Sequence, residues 1–499
     1  MGVVRVRPRQ TATPSPSPSL PPSLSPSFAM AKRRRGADVA DPPPPPSETT
    51  TAPPAHAASS TTTLQVVTGS YERVLHGFAA ALPGPGRPHI DFTDTFLFHA
   101  HASSIRCLAI SPASHTASKV TLATGSSDER INLYSLSTAP PVASHHKPRL
   151  PSLHGGSITE NRKNKELGSL LHHASNITAL HFPTRSKLLS AAEDSTIAIT
   201  RTRDWTALAT IKAPIPKPHG RPSGDTAGPG EVPSGINDFA VHPSMKLMVS
   251  VGKGEKCMRL WNLVTGRKAG VLAFGRDILA AVGEGRFGSG EARRVIWDRE
   301  GDEFAVGFER GVVVFTIDSK PKGKITPTPR TKIHQMRYLP STAHSAMLLV
   351  STEDGRILVY DTTTADTAKD DIPSSRLVAQ IGGPAAGVTG RVKDFDIVPV
   401  STSAFAIVAG SSDGTVRFWC LDEKHLATEQ ADAGQAAGFT ALQVGELLGS
   451  YSTGTRITCL KAFAMTGKPD AEDDEHVDEE GGLDSSEDDD DDDDDDDDE

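Results

Sequence analysis

Short apolar runs separated by polar turns fill the chain from about residue 63 to residue 466, and their internal period is two rather than 3.6. The clearest case is Asp413-Gly-Thr-Val-Arg-Phe-Trp419, where a turn acid is followed by an apolar residue three positions on and an aromatic six positions on. Such alternation puts successive side chains on opposite faces of a strand. The same spacing recurs at Asp354 with Ile357 and Tyr360, and at Asp128 with Ile131 and Tyr134. Asp194 is followed by Ile197 and then by Thr200 where the ring would stand. Three weaker copies use glutamate: Glu72 with Leu75 and Phe78, Glu255 with Met258 and Trp261, and Glu309 with Val312 and Phe315. The pattern predicts seven strand–turn–strand units.

Most units carry a further apolar strand upstream, as at Ile105–Leu108, Ile177–Leu180, Ile236–Phe239, Ile333–Met336 and Val392–Phe395. Successive turn acids lie 56, 66, 61, 54, 45 and 59 residues apart. Most of these exceed the roughly 40–45 residues of a simple four-stranded repeat, so insertions are expected. Loop-like stretches at 139–168, 213–231, 275–290 and 365–387 are the candidates. The first unit lacks its upstream strand, whereas the last unit is followed by an orphan one, Arg456–Phe463. Pairing the two would close a ring and remove the free edges that an open array leaves. The expectation is an all-β, seven-bladed WD-repeat β-propeller spanning 63–466, with a disordered Pro/Ser-rich segment at 1–62 and a disordered acidic tail at 467–499.

Charge changes the picture. The net charge of −10 hides a tail from Asp470 to Glu499 with 22 acids and no Lys or Arg, which leaves 52 basic and 40 acidic residues in the rest, a balance of +12. A basic body with an acidic tail suggests contact with nucleic acid or with basic proteins bound to it. Lys32, Arg33, Arg34 and Arg35 form a candidate nuclear-localisation cluster, and Met30 offers a second start just ahead of it. Ser485 and Ser486, beside Asp488–Asp498, are candidate phosphorylation sites for an acid-directed kinase. Cys107, Cys257, Cys420 and Cys459 are isolated from one another, which fits a reducing compartment. No apolar run approaches membrane-spanning length, and no membrane contact is expected.

Motifs with chemical potential dissolve into the repeat. Gly283–Gly288 fits G-x-G-x-x-G but is followed by a strand-like run instead of a helix. Gly252–Lys256 lacks the spacing of a phosphate-binding loop. The paired histidines at 99/101, 145/146 and 172/173 have no second ligand pair at zinc-site spacing. No nucleophile elbow or isolated acid pair stands out, so the expected protein is not an enzyme, needs no cofactor and has no small-molecule substrate. Four residues ahead of Ile105 and Ile177 stand His101 and His173, which in WD-type blades bond the turn acids, here Asp128 and Asp194. Basic residues beside the turns, Arg73, Arg130, Arg356 and Arg417, are candidate partner contacts.

Several segments go beyond the generic repeat. Val67–Phe78, His99–Ile105, Gly125–Ile131, His173–Leu180, Ser250–Arg267 and Arg391–Asp394 resemble, in order, the p21-activated-kinase-interacting protein family over about Leu64 to Phe463. The resemblance implies a seven-bladed protein of the nucleus and nucleolus, working as a monomeric propeller within a larger particle. It also implies two alternative roles. Fungal members assist maturation of the large ribosomal subunit, which would make pre-ribosomal proteins and pre-rRNA the partners. An animal member is a negative regulator of p21-activated kinase, which would make a protein kinase the partner. The large loops and the Asp-rich tail depart from that animal member, whose tail is Lys-rich.

Overall fold

The computed structural model describes residues 62–84, 89–113, 118–141, 163–215, 234–285, 289–366, 372–426 and 441–467. The Lys32–Arg35 cluster and Ser485 and Ser486 lie outside these residues. Among the described residues twenty-eight strands form seven antiparallel four-stranded blades, the fifth and sixth joined at their outer edges by one parallel pairing, Lys324↔Ser374. The first blade joins β1 (Thr63–Ser70), β2 (Val74–Ala81) and β3 (Asp91–His99) to the last strand of the chain, β28. Blade two is β4–β7 (Ile105–Ile110, Lys119–Ser126, Ile131–Ser137, Lys165–Leu170). Blade three is β8–β11 (Ile177–Thr184, Lys187–Ala192, Thr196–Arg201, Ala207–Lys212). Blade four is β12–β15 (Ile236–Val241, Leu247–Gly252, Cys257–Asn262, Arg267–Ala273). Blade five is β16–β19 (Arg294–Trp297, Glu303–Gly307, Val312–Thr316, Pro321–Ile325). Blade six is β20–β23 (Ile333–Tyr338, Met347–Thr352, Arg356–Asp366, Ser374–Gly382). Blade seven is β24–β27 (Val392–Pro399, Ala404–Ser411, Thr415–Asp422, Glu446–Ser452), and β28 is Ile457–Ala464.

Each blade's innermost strand packs beside that of the next, in the cycle β28, β4, β8, β12, β16, β20, β24 and back to β28. The ring is therefore closed, and the closing strand is the last one, paired antiparallel with β1 from Leu64↔Ala464 to Ser70↔Ile457. Blades adhere through apolar faces. Phe78, Val66 and Leu64 of blade one pack with Val408, Val416 and Phe418 of blade seven, and Phe78 stacks on Tyr451 with ring centroids 4.2 Å apart. Each such ring removed from water contributes about 1.5–3 kcal/mol. Trp419, only 3 % exposed, turns the other way into the cluster shared with blade six.

Two loop expectations change. The 365–387 stretch contains β23, blade six's outer strand, and the 139–168 stretch runs into β7. Outer strands are half solvated and lack alternation; the burial of β11, for instance, is confined to Ile211. The 275–290 insertion holds a six-residue helix, α1 (Arg276–Ala281), that precedes Gly283 instead of following it. A dinucleotide site needs the reverse order.

Candidate functional site: blade turns and the channel mouth

The turn acids sit between the second and third strands of each blade, on the face where the inner strands begin. Where the chain passes Asp354 and Asp413, the next residue takes a left-handed backbone, and Gly355 and Gly414 supply it at φ 89° and 84°. A side chain at either would also meet the carbonyl of Val388 or Thr455 at 2.7 Å. In blades one, two and three Arg73, Glu129 and Ser195 take the same conformation without that freedom.

Blades two and three fill the turn with histidine. His101 Nδ1 lies 3.1 Å from Asp128 Oδ2, and its Nε2 lies 2.7 Å from Thr124 Oγ1. Asp128 also accepts from the backbone N–H groups of Ala102 and Arg130, at 2.9 and 3.1 Å. His173 Nδ1 lies 3.2 Å from Asp194 and its Nε2 lies 2.8 Å from Ser190 Oγ, while Asp194 accepts from the Ala174 and Thr196 backbones. Burial holds both imidazoles below their ordinary value, against the pull of the carboxylates. Burial pushes the two carboxyls up, but the neighbouring imidazoles and the hydrogen bonds outweigh it and hold them below the usual range. Asp128→Ala is expected to cost about 1–3 kcal/mol, because it leaves the half-buried donors that faced it unpaired. Asp413→Ala removes one exposed turn bond, from the Thr415 N–H at 2.9 Å, and a long, partly exposed ion pair to Arg417 at 3.6 Å, and is expected to cost about 1 kcal/mol or less. Urea unfolding of both variants checks the ranking.

Blades four to seven use cations where histidine is missing, and blade one uses a backbone N–H. Arg259 pairs with Glu255, and Arg417 reaches Asp413 at 3.6 Å and Ser411 Oγ at 3.1 Å. Glu309 takes Lys332 at 2.9 Å and Arg293 at 3.5 Å. Glu72 accepts from the Arg456 backbone N–H at 2.9 Å. Arg356 donates to Asp354 through Nη2 at 2.7 Å and Nε at 3.1 Å, and to the Thr328 carbonyl through Nη1 at 2.9 Å.

That geometry corrects one contact assignment. The Arg356 side chain is completely buried, so it cannot meet a partner; it takes the place of the absent histidine. Arg417 is largely folded onto its own blade. Arg73 and Arg130 stand exposed at their turns. A polar cluster unmarked by the repeat pattern joins blades one and seven, with His76 Nε2 2.7 Å from Asp94 and Tyr451 donating to the same carboxylate.

The channel down the axis is lined by charge that the strand pattern concealed. A bulge at the start of most inner strands turns two consecutive residues toward the axis, such as Arg106 and Cys107, Asn237 and Asp238, or Lys393 and Asp394. Asp238 accepts from the Val295 N–H at 3.1 Å, Asp394 from the Leu460 N–H at 2.9 Å, and Asp396 from the Ala462 N–H at 3.1 Å, so carboxylates stitch neighbouring inner strands. Arg337 lies between Asp394 and Asp396, at 3.6 and 3.5 Å. At the turn face the channel opens into a concavity of about 450 Å³ that includes Tyr71, Arg106, Arg294 and His334. Burial, together with Lys393, Arg294, Arg391 and Lys332, pushes His334 down to about 4. Among the described residues no group of three or more His, Cys, Asp or Glu is placed to hold a metal ion. None of the helices among them is long and apolar enough to cross a membrane.

Comparison with known proteins follows the same outline. The p21-activated protein kinase-interacting protein 1-like of Danio rerio is 27% identical over 398 residues, 80% of each chain. Protein MAK11 of Saccharomyces cerevisiae is 27% identical over 397 residues, 72% of this chain and 78% of its own. The WD domain, G-beta repeat model matches residues 92–135 and 164–200. This chain is a WD-repeat protein related to the p21-activated-kinase-interacting proteins. Shk1 kinase-binding protein 15 of Schizosaccharomyces pombe is more distant, at 22% identity over 360 residues, 72% of this chain and 78% of its own.

The two matched stretches of this WD-repeat protein contain His101 with Asp128 and His173 with Asp194. Blades four to seven keep the architecture with arginine or lysine on the turn acid, and blade one with a backbone N–H. Acid should expose the histidine-dependent part. His101 and His173 sit below their unfolded value and His334 falls to about 4, so the unfolded chain binds more protons as soon as pH drops below about 6.5. Stability is therefore fully present above that pH and is lost as pH falls. The thermal midpoint is expected to hold between pH 8 and 7 and to decline from pH 6.5 to 4.5; a flat profile down to pH 4.5 would contradict the buried neutral imidazoles.

Proposed function

We propose that this WD-repeat protein is a non-catalytic scaffold in nucleolar maturation of the large ribosomal subunit. The observation that carries the reading is the commitment of the repeat's polar residues: the turn acids bond within or between blades, which leaves rigid, charged faces suited to docking. Closed blades hold their loops in fixed positions, the condition for multivalent surface binding. The likeness to Protein MAK11 and the basic propeller favour partners in a nucleoprotein particle, namely pre-ribosomal proteins and pre-rRNA. The Lys32–Arg35 cluster fits a nuclear and nucleolar address. Depleting the protein and profiling ribosomes on sucrose gradients tests this: a deficit of free large subunits is expected, and normal profiles would overturn it.

A second reading has its own support. Relatives are named for binding a p21-activated protein kinase or the Shk1 kinase. Normal gradients combined with altered kinase activity in the depleted cells would favour that role.

A further inference from the structure

The concavity is lined by Arg106, Arg293, Arg294 and His334 against Glu193 and Glu291, with Lys393 in the channel wall next to it and Arg456 beside Tyr71 at its rim. Lys393 and Arg456 have no carboxylate within ion-pair distance among the described residues, whereas Lys332 is held by Glu309 at 2.9 Å and Arg391 by Glu353 at 3.2 Å. Burial and the charges of Arg391, Arg456 and Lys332 push the Lys393 ammonium down, opposed by Glu353. A half-buried cation surrounded by other cations is stabilised by an anion more than by any neighbour it has. His334 lies in the same group, its Nε2 buried and without a hydrogen-bond partner.

Beside these cations stands an aromatic ring that packing does not explain. Tyr71 is 60 % exposed at the rim of the concavity, and the Arg456 guanidinium lies over its ring at 5.6 Å. An exposed ring next to unpaired cations is the arrangement that receives a base on the ring and its phosphate on the cations. A double helix is too wide to enter a concavity of about 450 Å³. Acidic segments would satisfy the cations but give the ring no aromatic face to stack on.

We infer that the channel mouth binds single-stranded RNA, with a base on Tyr71 and backbone phosphates on Lys393 and Arg456. The choice of RNA over other single strands rests on the assembly role proposed above. The site itself rests on the ring and the cations.

Fluorescence anisotropy of a labelled oligouridylate with the full-length chain tests the inference. Tyr71→Ala and Lys393→Gln are each expected to weaken binding about tenfold, and Lys393→Gln should lower the salt dependence by about one counterion. Tyr71→Trp should bind at least as tightly as the parent, which separates stacking from any loss of fold. Lys187→Gln, at a turn on the opposite face, should bind normally. No binding at micromolar protein and physiological salt, or binding indifferent to Tyr71 and Lys393, would overturn the site. Displacement of the RNA by a polyglutamate peptide at equal charge would overturn it in favour of an acidic protein. RNA binding retained beside normal sucrose gradients removes the assembly role and leaves the site standing; the converse pair of results removes the site alone.

Discussion

Arg356→Met is expected to destabilise the propeller by about 3–5 kcal/mol, the cost of breaking a buried ion pair from one side. The guanidinium makes two bonds to Asp354 and one to the Thr328 carbonyl, and its side chain has no exposed surface. Methionine fills much of the same space but donates nothing. It leaves the Asp354 carboxylate, held below the usual range partly by this arginine, with only the Thr352 hydroxyl and the backbone N–H of residue 356. Urea denaturation reads the loss as a lower midpoint. Arg73→Met is the natural control: the side chain is exposed, and a change within about 0.5 kcal/mol is expected. If both variants behaved alike, the buried assignment of Arg356 would be wrong.

Stopping the chain after Arg456 is expected to abolish cooperative folding, whereas stopping after Gly467 should leave the thermal midpoint unchanged. The first truncation removes β28, the inner strand of blade one. With it go the ladder to β1, the apolar contacts of Ile457 and Leu460, and the backbone donors received by Asp394 and Asp396. Asp394 and Asp396 then each lose their cross-strand donor and keep only Arg337, Gln335 and the N–H groups of Phe395 and Ile397, and the edge of β1 opens to other chains. The second truncation keeps the last described backbone bond, from the Gly467 N–H to the Thr138 carbonyl at 2.9 Å. Circular dichroism and calorimetry of the two truncated chains separate the outcomes. A cooperative transition in the shorter chain would contradict closure by the last strand.

The middle strands of the blades were legible because both of their faces obey a simple rule. Ile131, Leu133 and Tyr134, or Ile357, Val359 and Tyr360, are buried wherever the alternation asks. The closing strand was legible as well, since an orphan strand at one end and a missing one at the other leave a single way to pair. β11 escaped because it is exposed apart from Ile211, and β23 because its buried positions, Ser375 and Ala379 to Gly382, mix polar and small residues in no two-residue order. Arg356 misled because an arginine two residues after a turn ordinarily points to water; only Pro329, four residues ahead of Ile333 where blades two and three have histidine, signalled that something else must fill the turn. The channel carboxylates were hidden by the bulge, which turns Asp238 and Asp394 inward from positions the two-residue period does not single out. The Asn-Asp-Phe and Lys-Asp-Phe sequences at 237–239 and 393–395 held a usable signal, an acid inside an apolar strand. The mouth cations come from separate blades, and nothing local in the sequence unites Tyr71, Lys393 and Arg456.

In the proposed role, this propeller docks inside a nucleoprotein particle through its turn face. Lysine-directed crosslinking of the native assembly, isolated through a tag on the full-length chain and followed by mass spectrometry, tests it most directly. Co-sedimentation with large-subunit precursors is expected, with crosslinks to ribosomal or assembly proteins concentrated at Lys253 and Lys332 and sparse at Lys119 and Lys187 on the opposite face. A protein that sediments alone, or with a kinase and no ribosomal RNA, would contradict it.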